Sequence, residues 1–151
     1  MILADTSAWV EYDRATGSTA DQRVAELIAT DGALALMVTE PVLMEVLAGA
    51  RSDAQEEDLR RLLLSFGFLP FDAVTDFEAA ARIYRRCRQA GVTPRGMVDC
   101  MIVAVAYRRG AALLAWDVDM DRVAQVIGAE LDEASSASPT GRAMPEGVQA
   151  W

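Results

Sequence analysis

Short apolar runs alternate with segments of helical periodicity along most of the chain, and this alternation restricts the fold more than any other feature. "MILA", "ALALMV" (33–38), "FLPF" and "AALLAW" have the length of buried strands or connectors rather than of core helices. Between them the sequence predicts helices: one after Thr6 and Ser7, which are good N-cap types, and one over 18–31 with Val24, Leu27 and Ile28 on one face. Another opens at Thr39 and Pro41 and stops at Gly49, and further ones cover 53–66 and Asp76–Ala90. "MVDCMIVAVAYRR" is nearly all apolar and therefore central, and "VDMDRVAQVIG" is amphipathic. Strands separated by helices cannot form hairpins; they imply an α/β fold with a twisted, mainly parallel sheet covered on both faces. From Asp132 onward aliphatic residues thin out in favour of Ser, Pro, Gly and Ala, so the expected organisation is one domain over 1–131 and a poorly ordered tail over 132–151, with Trp151 as a late anchor.

What the chain lacks narrows its chemistry. Among 151 residues there is no histidine, and all fourteen basic residues are arginines. Ser-His-Asp and Cys-His catalysis, a P-loop lysine, Schiff-base chemistry and histidine metal ligands are thereby excluded. Any catalysis must rest on carboxylates, hydroxyls, thiols or arginines. Cys87 and Cys100 lie in helical segments, form no CxxC or Cys/His pattern, and read as buried fillers. No apolar run approaches the ~20 residues of a membrane span, and "MILADTSAW" lacks a basic leader, so a soluble cytoplasmic protein without membrane contact is expected. A net charge of −9 opposes indiscriminate binding to polyanions while permitting local basic patches.

The stretch "PVLMEVLAG" places a single glutamate, Glu45, inside an apolar helix. A lone buried carboxylate costs several kcal/mol, on the order of a small domain's whole stability, unless it is paired or bound to a metal. Glu45 has siblings: Asp5 ends the first apolar strand, Asp99 opens the central helix, and Asp117 follows the last strand. In a parallel sheet the C-terminal strand ends share one rim, where ligands bind, and Asp5 and Asp117 belong there. Each acid also has a plainer reading: Asp5 as a helix cap, Asp99 as a cap or first-turn acid, Asp117 as a turn residue, Asp119 and Asp121 as solvated first-turn acids, Glu45 as the partner of an arginine. Acids crowded into one cleft repel one another, and hard divalent ions relieve this with oxygen ligands. Two such ions, about 3.5–4 Å apart, can activate a water and stabilise the leaving oxygen of a phosphodiester.

"MILADTSAWV", "TEPVLMEVLAGA", "RGMVDCMIVAVAYRRGAALL" and "AWDVDMDRVA" resemble, in order and spacing, the blocks of PIN-domain proteins, specifically the VapC-like ribonuclease toxins of bacterial toxin-antitoxin pairs. The likeness covers residues 1–131 and implies a three-layer α/β/α fold. It implies that Asp5, Glu45, Asp99 and Asp117 form an acidic quartet holding Mg²⁺ or Mn²⁺, that Asp119 reaches a second ion, and that Thr6 and Ser7 orient the ligands. The implied activity is endonucleolytic cleavage of a tRNA or an exposed rRNA loop, leaving a 5′-phosphate and a 3′-hydroxyl. The implied partners are a cognate antitoxin and a second copy of the toxin. Two positions depart from the pattern: Ala115 stands where Thr or Ser is usual, and Met120 where an aromatic is usual. Loss of the hydroxyl would loosen Asp117.

Arg82, Arg85, Arg86, Arg88 and Arg95 lead up to Asp99, and the first three share a helical face, which is either solvated or, with Arg108 or Arg109, a contact for RNA phosphates. Trp9 and Tyr12 are read as core or as a surface for antitoxin or base. Two alternatives stand beside the nuclease: a catalytically impaired PIN-fold binding protein, and an acidic-pocket phosphatase. The second is disfavoured because Ser7 stands where a haloacid-dehalogenase phosphatase needs a second Asp, and because a phospho-receiver would need a lysine.

Overall fold

The computed structural model describes residues 1–30 and 32–135. In chain order the elements are β1 (Ile2–Ala4), α1 (Thr6–Asp13), α2 (Thr19–Thr30), α3 (Gly32–Ala35), β2 (Leu36–Val38), α4 (Glu40–Ala48), α5 (Asp53–Leu63), β3 (Gly67–Phe68), α6 (Thr75–Gln89), α7 (Met97–Arg109), β4 (Ala112–Leu114) and α8 (Val118–Ile127). The strands form one sheet in the order β3-β2-β1-β4, every pairing parallel, with Ile2 opposite Leu36 on one side and Ala112 on the other. Successive residues of a strand face opposite sides, and Ile2, Leu3 and Ala4 are all buried, so helices cover both faces and the fold is the expected α/β/α sandwich. Helix α7 carries the centre of the core: Cys100 and Ile102 to Ala106 are buried without a polar side chain among them. Both thiols are free and buried, and burial, with the neighbouring Cys87 and Asp99 adding to it, pushes Cys100 up to about 12, so they are inert fillers.

Three local expectations need correction. The run 33–38 is not all strand. Its first residues form the short helix α3, because β1 begins at Ile2 opposite Leu36 and offers almost nothing upstream for a longer β2 to pair with; Leu34 is accordingly 81% exposed. The connector "FLPF" enters the sheet one residue earlier, at Gly67, where a Cβ would stand 2.5 Å from Met37 Sδ. Glycine there permits β3 to lie close against β2. Asp5, and not Thr6 or Ser7, caps α1, its side chain accepting from the Ser7 amide.

The chain beyond α8 stays packed past Leu131. Leu131 forms a parallel bridge with Leu113, the Asp132 amide donates to Leu113 O at 2.9 Å, and the buried Ser135 hydroxyl donates to the same carbonyl at 2.9 Å while accepting from the Ala115 amide at 3.1 Å. Residues 132–135 thus cover the β4 edge instead of beginning a loose tail. The rest of the expected tail, with Trp151 as an anchor, lies outside the described residues. Among the described residues no helix is long and apolar enough to cross a membrane.

Candidate active site

The site begins where β1 and β4 end side by side. The Asp5 amide donates to Leu114 O at 2.8 Å, which holds the C-terminal ends of the two strands together. Asp5 Oδ2 accepts from the Ser7 amide at 3.1 Å and from Ser7 Oγ at 2.7 Å, and Ser7 Oγ in turn accepts from the Trp116 amide at 2.8 Å. One hydroxyl therefore fixes the Asp5 carboxylate and ties it to the chain leaving β4. Asp5 is 4% exposed. Burial raises its pKa from 3.8 to about 6, against the hydrogen bonds from Ser7 and Thr6, with the charge of Asp99 adding to the rise.

The other acids arrive on helices. Glu45 projects half-buried from α4, and its Oε2 accepts from Thr6 Oγ1 at 2.6 Å, so the two residues after β1 position two different carboxylates. Asp99 lies in the first turn of α7, half-buried. Its pKa is raised, first by burial and then by the charges of Glu45 and Asp117; the Gly96 amide and Arg95 offset this only in part. Asp117 caps α8, its Oδ1 accepting from the Asp119 amide at 2.8 Å. Asp99 therefore feels Asp5, Glu45 and Asp117, and the structure brings the quartet read from the sequence into one electrostatic neighbourhood. Asp5 also fills its plainer role as a helix cap and Asp99 its role as a first-turn acid, whereas Asp117, weighed as a turn residue, caps α8, and Asp121, expected to be solvated, is buried in the first turn of α8. The two roles coexist because a helix N-terminus both positions a carboxylate and stabilises its charge.

Arg95 closes the cluster on one side. Its guanidinium reaches Asp117 at 3.2 Å and Asp119 at 3.0 Å, and Asp119 also pairs with Arg122 at 3.2 Å. Among the described residues no three carboxylates converge tightly enough to enclose an ion as they stand. The donor set nevertheless suits a hard divalent cation: it offers only carboxylate oxygens, with two hydroxyls behind them, and burial and mutual repulsion disfavour the negative charges until a cation joins them.

The remaining sequence candidates separate. Arg82, Arg85 and Arg86 line, with Gln89, a cavity of about 210 Å³ on α6 whose lining contains none of the quartet. Trp9 is 2% exposed, packs against Phe66 in a tilted pair at 5.5 Å and meets Tyr12 edge-on at 6.3 Å, which makes it core and unavailable to a base. Ala115 does not leave Asp117 loose, since that carboxylate is held by Arg95 and by the Asp119 amide, and Met120 is 2% exposed and fills core volume. Trp116, whose amide anchors Ser7, was not singled out from sequence. The only available signal was its place immediately before Asp117.

Residues 2–126 match the model of the PIN domain. The chain is 47% identical over 126 residues, which are 83% of this chain and 93% of each relative, to a VapC ribonuclease of Mycobacterium bovis and to Ribonuclease VapC11 of Mycobacterium tuberculosis. Among solved structures it resembles FitAcB from Neisseria gonorrhoeae, with a TM-score of 0.64 at 19% identity over 87% of this chain and 97% of that one. It also resembles DNA-bound VapBC from Salmonella typhimurium, with a TM-score of 0.62 at 20% identity over 87% and 96%. A third likeness is to the sarcin-ricin-loop-cleaving toxin VapC20 of M. tuberculosis, with a TM-score of 0.59 at 18% identity over 80% and 93%. At such identities the structural likeness speaks for the fold, and the sequence match speaks for the family. With four coupled carboxylates gathered at the C-terminal rim of a parallel sheet, the chain belongs to the PIN-domain family, among relatives named VapC ribonucleases.

Proposed function

We propose that this protein is a divalent-cation-dependent endoribonuclease that serves as the toxin of a toxin-antitoxin pair, with a tRNA or an exposed rRNA loop as substrate. The observation that carries the reading is the coupling of Asp5, Glu45, Asp99 and Asp117 in a chain 47% identical to VapC ribonucleases. The likeness to toxin-antitoxin complexes supports a cognate antitoxin as partner, and the family supports a homodimer.

Asp5, Glu45, Asp99 and Asp117 would hold Mg²⁺ or Mn²⁺, and Asp119 would serve a second ion. The bound cation neutralises the phosphodiester and lowers the pKa of water. Ser7 keeps the Asp5 carboxylate in one rotamer, and Thr6 does the same for Glu45, so neither acid must be reoriented during the reaction. Arg95, paired here with Asp117 and Asp119, has a planar fork that suits a phosphate and would turn to the substrate were those carboxylates to hold a cation. One of the carboxylates accepts the proton of the attacking water as the P–O3′ bond breaks, the leaving 3′-oxygen takes a proton from solvent, and the products carry a 5′-phosphate and a 3′-hydroxyl.

The test is cleavage of total tRNA and rRNA by the purified protein, freed of antitoxin, in Mg²⁺ or Mn²⁺. Cutting that stops with chelator and with Asp99→Asn is expected, with end-sequencing locating the site. Intact RNA in both ions would refute the reading.

A further inference from the structure

A polymer whose scissile phosphate sits among the carboxylates must leave the cleft along the surface. Glu45 lines a second feature besides the cleft: a groove between α1, α4 and the start of α5, with a cavity of about 60 Å³. From Glu45 the groove runs along α4 to Gly49, about one helical turn of 5.4 Å, and then to the loop carrying Arg51. Arg14, just past α1, lines the opposite wall. Both arginines are exposed, and among the described residues neither guanidinium has an ion pair, in a chain where acids outnumber basic residues 23 to 14. The Arg51 amide donates to Gln55 Oε1 at 2.9 Å, which sets the loop at the groove's edge. Trp9 lines the same groove, and its buried indole N–H has no acceptor among the described residues. Asp13 is the one acid on the walls besides Glu45.

We infer that this groove is a phosphate track for the RNA strand leaving the carboxylate cleft, with Arg14 and Arg51 each contacting a backbone phosphate. The inference rests on the ribonuclease reading and adds the direction in which the strand lies. A polyanion fits better than a protein segment, because the groove shares Glu45 with the proposed reaction centre and offers exposed guanidiniums that have no ion pair among the described residues. Phosphate contacts of this kind set register without reading sequence.

The experiment measures binding of a short fluorescein-labelled single-stranded oligoribonucleotide by anisotropy over a range of salt, using the full chain freed of antitoxin and carrying Asp99→Asn to block cleavage. Each phosphate contact to a single strand contributes about 0.7 to the slope of log affinity against log salt. Arg14→Gln and Arg51→Gln are each expected to lower that slope by about 0.7 and to weaken binding about 5-fold at about 0.1 M salt, and together about 25-fold. Arg60→Gln, an exposed arginine on α5 outside the groove, leaves both unchanged. Circular dichroism confirms folding of each variant. An unchanged slope in the double variant overturns the track even if the wild-type protein cleaves RNA, so the two readings fail separately; no binding of the oligoribonucleotide by the parent overturns both. Loss of antitoxin binding or self-association in the double variant, with RNA affinity intact, reassigns the groove to a protein partner.

Discussion

Replacing Asp5 by asparagine separates what the site costs from what it does. In the folded protein the Asp5 carboxyl holds its proton up to about 6, against 3.8 for the free group. The folded state therefore binds a proton more readily than the unfolded chain, and stability from the neutral form is fully present below pH 3.8 and lost as pH rises through 6. At about 1.4 kcal/mol per tenfold change in proton affinity, the cost of ionising Asp5 in the cation-free fold is about 3 kcal/mol at pH 7. Asparagine keeps an oxygen for the Ser7 amide and hydroxyl but never ionises. Asp5→Asn is thus expected to be more stable than wild type by about 3 kcal/mol in chelator at neutral pH, a rise in Tm of about 6–12 °C for a chain of this size. The two proteins converge as pH approaches 4, and the stabilised variant does not cleave RNA. Differential scanning calorimetry in chelator from pH 4 to 8 provides the measurement. A variant less stable than wild type at pH 7, or a difference independent of pH, would refute the claim that burial of an ionised Asp5 is what the cation relieves.

Other expectations follow from single contacts. Arg95→Gln removes a cation that competes for Asp117 and Asp119, so calorimetric titration should find Mn²⁺ bound several-fold more tightly while RNA affinity falls; weaker ion binding would contradict the competition. Ser7→Ala leaves the Trp116 amide without its acceptor and frees the Asp5 carboxylate, and urea unfolding should show a loss of about 1–2 kcal/mol together with reduced kcat at saturating ion. Arg108 makes two 2.7 Å contacts to the fully buried Asp76 and another to Pro70 O at 2.8 Å, joining the end of α7 to the start of α6. Arg108→Ala leaves that carboxylate with the Asp72 amide but no cation and should cost about 3 kcal/mol, whereas a loss below about 1 kcal/mol would show that Asp76 reaches solvent or takes a proton.

The acids of the candidate site were legible because each breaks a local rule. Asp5 ends an apolar strand, Glu45 interrupts an apolar helix face, and Asp99 opens a helix that is otherwise core. The alternation of strands and helices fixed a parallel sheet for the same reason: βαβ connections admit no hairpins. What stayed hidden depends on partners distant in sequence. The length of β2 is set by where β1 begins, and the Ser7–Trp116 bond joins residues 109 apart. From sequence Arg95 is either solvated or a contact for RNA phosphates; its place against Asp117 and Asp119 is decided by the packing of α7 beside α8. Residues 132–135 looked like tail because they lack aliphatic side chains; they are held instead by backbone and hydroxyl hydrogen bonds to β4, which no hydrophobic pattern records.

The central claim is that these carboxylates share a divalent guest, and anomalous diffraction from crystals grown with Mn²⁺ tests it most directly. The account predicts a manganese peak bonded to oxygens of Asp5 and Asp99, with Asp117 turned away from Arg95 toward the ion. Diffraction showing manganese only elsewhere on the protein, with Asp117 and Arg95 still paired, would contradict it.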